Sequence, residues 1–60
     1  MKISVTMHNR GGELDRQQVN MANVNPEDPA EVSEAIKDTL REMIEGAVIE
    51  PGDNFTVEAS

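Results

Sequence analysis

The side chains that could do chemistry are few and unevenly placed. His8 is the single histidine, cysteine and tyrosine are absent, and Ser4, Ser33 and Ser60 have no neighbouring base that would activate a hydroxyl. A carboxylate pair doing acid–base work needs one member buried so that its proton affinity rises. The acids of this chain fall instead in turns or at positions that a helix would expose. One histidine without a thiolate does not make a zinc site within a single chain, and Asp53-Asn54 lacks the ligand spacing of a calcium loop. No catalytic residue, metal or cofactor is expected, and the chain reads as a non-enzyme.

Two patterns suggest binding. On a helical projection of 100° per residue, Glu27, Glu31, Glu34, Asp38, Glu42 and Glu45 fall within about 80° of arc, in a row roughly 27 Å long with a charge about every 5 Å. Like charges three or four residues apart destabilise a helix, and only Lys37 and Arg41 relieve the row, from its flank. Acids near Glu31 suit the helix dipole, whereas Asp38, Glu42 and Glu45 sit toward the wrong end for it. The expected partner-binding residues are therefore Glu31, Glu34, Asp38, Glu42 and Glu45, facing a basic surface on another protein. The charge spacing is comparable to that between neighbouring phosphates. One form of this reading is accordingly a nucleic-acid mimic, an inhibitor of the kind encoded by phages and other mobile elements. The alternative is a small-ligand protein, binding a metabolite or nucleotide between subunits through His8, Arg10, Arg16, Gln17 and Gln18. Those five cluster around one predicted hairpin and hold much of the chain's positive charge and amide capacity.

The elements that must position these residues follow from periodicity. Lys2 to His8 alternates strictly, with Ile3, Val5 and Met7 on one face, as a half-buried strand does. The glycines of Asn9-Arg10-Gly11-Gly12 are expected to supply the positive φ values of a tight hairpin, and a second strand should return from about Glu13. Leu14 is out of phase with Val19 and Met21, so a bulge near Arg16 to Gln18 is expected. Asp28-Pro29-Ala30-Glu31 reads as an N-cap, a proline at the first helical position and an acid at the third. The helix should run from Pro29 to about Glu45 and end at a left-handed Gly46. Its core stripe would be Val32, Ile36, Leu40, Met43, Ile44 and Ala47. Glu50-Pro51-Gly52-Asp53 is a turn, and Asn54 to Ala59 alternates again with Phe55, Val57 and Ala59 inward. Strand, strand, helix, strand gives an α+β domain spanning 1–60, with a three-stranded antiparallel sheet in order 2-1-3 and one amphipathic helix on one face.

Size and charge bound what such a domain can do. Five Lys and Arg against twelve Asp and Glu leave a formal charge of -7. A chain this acidic is not expected to bind nucleic acid directly, because that affinity comes from cations neutralising phosphates. No apolar run approaches the roughly 18 residues of a membrane span, and none resembles a secretory h-region, so a cytoplasmic protein away from membranes is expected. Sixteen apolar side chains of Val size or larger follow Met1, one of them aromatic. So thin a core, without disulfides or metal, calls for a partner subunit. A homodimer or larger oligomer is expected, joined through a sheet edge or an exposed sheet face.

Overall fold

Ile3, Val5 and Met7 are buried in the middle of the sheet, with Val5 completely enclosed. The computed structural model describes residues 1–60. Strand β1 (Ile3–Asn9) is followed by β2 (Gly12–Gln18), helix α1 (Pro29–Glu45) and β3 (Asn54–Ala59). β1 is the central strand, antiparallel to both neighbours, and the sheet order is β2-β1-β3. This is the architecture that the alternation and the single amphipathic helix imply.

Turn chemistry fixes the connections. At the β1–β2 hairpin the Asn9 carboxamide oxygen accepts from the Gly11 N–H at 2.7 Å. Only Gly12 has positive φ, at 120°, so one glycine and an Asx turn do the work expected of two glycines. Before β3, the Asp53 N–H donates to the Glu50 carbonyl at 3.1 Å, with Pro51 and Gly52 (φ 98°) at the corners. A type II turn needs that positive φ at its third residue. The Asp53 carboxylate closes the turn from the other side, accepting from the Glu50 N–H at 2.9 Å.

The bulge in β2 is real but lies at Leu14, not within Arg16 to Gln18. Met7 pairs with Asp15 and His8 with Glu13, which leaves Leu14 without a partner and 51% exposed. The physical reason is that β2 has no apolar face to keep in register. Asp15 and Gln17 lie opposite Met7 and Val5 on the helix side of the sheet, and the apolar contribution comes later, from buried Val19 and half-buried Met21.

Helix α1 begins as its sequence requires. Asp28 is extended (φ -100°, ψ 106°), and its carboxylate accepts from the Ala30 N–H at 3.0 Å. The C-terminus differs from expectation, because Gly46 has φ -91° and ψ -2°. The chain leaves α1 through a right-handed turn, with Gly46 N–H donating to Glu42 O and Ala47 N–H to Ile44 O.

The buried face of α1 is also turned relative to the apolar stripe. Thr39 and Met43 are buried, Val32, Ala35, Ile36, Leu40 and Ala47 pack on the core, and Ile44 stays 47% exposed. That is a rotation of roughly 35° about the helix axis. Its cause is where α1 sits: its backbone lies over β1 and β2 and not over β3, on the side of the apolar pair Val19 and Met21. Thr39 tolerates burial because its hydroxyl donates to the Ala35 carbonyl at 3.2 Å, leaving its methyl for the core.

Candidate functional site

The acidic row is displayed on the solvent side of α1. Glu31, Glu34, Asp38, Glu42 and Glu45 are all exposed, because the apolar and small residues between them claim the sheet. Two of the five have cationic neighbours within the helix: Arg41 bonds Asp38 at 2.9 Å and Lys37 lies 3.8 Å from Glu34. Both pairs are three residues apart and open to water, where such contacts contribute little. Glu31, Glu42 and Glu45 have no ion-pair partner, and no basic residue stands in the last turn of the helix.

Beside this row runs a trough of about 560 Å³ between α1 and the segment that follows β2. Glu31, Glu34, Asp38 and Glu42 form one wall, and Asn20, Asn23 and Val24 the other. Glu45 lies beyond it. The opposite wall is held in shape by its own turns, with the Asn20 carboxamide oxygen accepting from the Ala22 N–H at 3.0 Å and the Asn25 oxygen from the Glu27 N–H at 3.0 Å. Periodicity gave no hint of Asn20, Asn23 or Val24, since a turn-rich segment has no repeat from which to read a face. What the trough offers is four carboxylates and two amides over a shallow floor of Ala35 and Thr39, suited to cationic or hydrogen-bond-donating groups.

The five residues of the alternative site do not converge in one chain. Arg16 and Gln18 lie opposite Thr6 and Ser4, sharing the helix-free sheet face with His8. Gln17 is opposite Val5 on the other face, and Arg10 is in the hairpin turn. Local partners already occupy several of them. Arg16 pairs with Glu13 at 2.9 Å, the His8 Nε2 is 2.6 Å from the Thr56 hydroxyl, and Gln17 reaches Asp15 at 3.4 Å. Arg10 instead borders a second hollow, with Asn9 and Gly11 on its own side and Glu50 to Asp53 across.

Other kinds of site find little purchase. No three His, Asp or Glu side chains converge where they could hold a metal ion, and no helix is long and apolar enough to cross a membrane. Compared with known proteins, the sequence matches no family model, and neither curated proteins nor solved structures show a significant similarity to it.

Proposed function

We propose that this protein is a non-enzymatic interaction module of the cytoplasm that acts as an oligomer and docks the acidic face of α1 on a basic surface of a partner protein. The observation that carries this reading is the placement of five exposed carboxylates in a single row that structural demands do not explain. Glu42 and Glu45 oppose the helix dipole at the C-terminal end, and the row's like charges at spacings of three and four cost helix stability. A solvated face under no other demand would intersperse lysines there. The trough adds amide donors and acceptors from Asn20 and Asn23 on the wall opposite the carboxylates, so that a bound cationic side chain has oxygen ligands on two sides. In its nucleic-acid-mimicking form, the partner surface is one that otherwise holds a polyanion.

Pulldown from the native host, at low and at high ionic strength, tests the proposal. Wild type is compared with a chain carrying Glu34→Lys, Asp38→Lys and Glu42→Lys. The expected result is a protein with a basic surface that is retained at low salt, lost at high salt as the screening length falls from about 10 Å to about 3 Å, and lost from the charge-reversed chain. A partner held equally well by both chains would show that the acidic row is only a solvated surface.

A further inference from the structure

The sheet has two free edges, and they are not equivalent. Along β2 the chain bulges at Leu14, charged and amide side chains occupy most positions from Glu13 to Gln18, and the Asp15 carboxylate accepts from the Arg16 N–H at 2.8 Å. A bulge, charges and an occupied donor are devices that keep an edge from pairing. β3 has neither the bulge nor the occupied donor. Asn54–Ala59 is six residues without bulge or proline, and Glu58 is its only charge.

The direction of the free backbone groups on β3 follows from its terminal pair. Lys2 and Ser60 exchange both backbone hydrogen bonds, at 2.9 and 2.8 Å. In an antiparallel ladder such pairs alternate, so Glu58, Thr56 and Asn54 bond to β1 while Phe55, Val57 and Ala59 turn their N–H and C=O groups to the open edge. No side chain bonds to those groups.

The same three residues lie opposite Met7, Val5 and Ile3 on the helix side of the sheet, where Phe55 packs on the core but Val57 and Ala59 stay exposed. Val57 is 46% exposed there, and the end of α1 and the segment before β3 also expose Ile44, Ile49 and Val48, the last at 86%. The accessible surface is 4418 Å², against about 3,900 Å² for a folded monomer of this mass. The excess, about 500 Å², is of the order that one subunit contributes to a modest interface. Charge favours the same side. The helix flank away from the trough carries Lys37 and Arg41, so on a chain of net charge -7 it is where two copies meet with least repulsion.

Resting on the oligomer of the proposed function and giving it an interface, we infer that β3 pairs with β3 of a second copy, antiparallel about a two-fold axis at Val57. Val57 then faces Val57 of the partner subunit, and Phe55 faces Ala59 of the partner subunit. This register bonds all three edge residues of each copy, sets a large side chain beside a small one, and puts Glu58 opposite the partner's Thr56, so that no like charges oppose. The product is a six-stranded sheet with both helices on one side.

Sedimentation equilibrium and amide hydrogen exchange on the unmodified protein, together with a Val57→Pro variant, test this. Wild type should sediment at twice the 6.6 kDa of one chain across the micromolar range. Its amides from Phe55 to Ala59 should be protected without a break. A monomer, or a dimer built elsewhere, would instead protect Thr56 and Glu58 while Phe55, Val57 and Ala59 exchange fast, and either result overturns the inference. Val57→Pro removes only an N–H that faces away from β1 and should halve the mass while α1 keeps its circular dichroism. A folded Val57→Pro dimer would overturn it too. Partner capture is read separately, from the α1 charge reversals, which leave β3 untouched.

Discussion

Thr6 stands at the centre of the helix-free sheet face, 6% exposed, with its hydroxyl buried and unpaired. Arg16 and Thr56 lie opposite it on the neighbouring strands. A buried hydroxyl without a partner costs free energy that an isosteric methyl does not. Thr6→Val should therefore stabilise the fold by about 1 kcal/mol, read as a higher urea midpoint; an unchanged or lower midpoint would mean the hydroxyl is satisfied in solution. Met43 makes the opposite case. It is the helix side chain most deeply set among Ile3, Val5 and Met7, and Met43→Ala should cost about 3 kcal/mol by leaving a cavity. For a domain this small that is a large share of total stability. Thermal unfolding should show most of the cooperative transition lost, and a melt close to wild type would place Met43 outside the core. Leu40, half-buried on the flank, is the milder site, though a carboxylate at Leu40→Asp should still prevent folding.

At the scale of elements, the limits of α1 were legible in the sequence, because Asp28 and Pro29 specify its start and the apolar spacing its extent, though not the right-handed backbone of Gly46 at its end. Replacing the cap, Asp28→Ala, should cost about 1 kcal/mol of stability, measurable as a drop in melting temperature. The rotation of the helix was not legible. It depends on Thr39, whose polarity conceals a methyl that its bond to Ala35 frees for burial, and on Val19 and Met21, which lie past the end of β2. The bulge at Leu14 was anticipated in kind but misplaced, since alternation locates a register fault only where a strand has an apolar face. Of the candidate site, the carboxylate row could be read from spacing alone, whereas the Asn20–Val24 wall could not, because its position depends on tertiary packing. Glu42→Lys separates structure from function on this element. New pairs with Asp38 and Glu45 and a better match to the dipole should raise helix stability by a few tenths of a kcal/mol each, while partner binding falls. Loss of stability together with binding would assign Glu42 a structural role.

At the scale of the whole molecule, the dimensions are 34 × 22 × 15 Å and the radius of gyration is 12.0 Å, against about 10.4 Å for a compact chain of this length. Seven of 60 residues are buried, which leaves the exposed apolar side chains at and before β3, Val48, Ile49 and Val57, to be covered by something else. If that cover is a second copy, the melting temperature should rise with protein concentration by mass action; a midpoint independent of concentration would argue for a self-sufficient monomer. Added salt should raise it as well, by screening the self-repulsion of a chain with net charge -7, even as it weakens capture of a basic partner. The Leu14 bulge and the Asp15 carboxylate over the Arg16 amide then have a role outside the fold itself. A sheet adhesive at both margins would add copy after copy and polymerise into filaments. With one margin already closed, growth ends after a single addition, and a strongly self-associating strand is tolerated without aggregation.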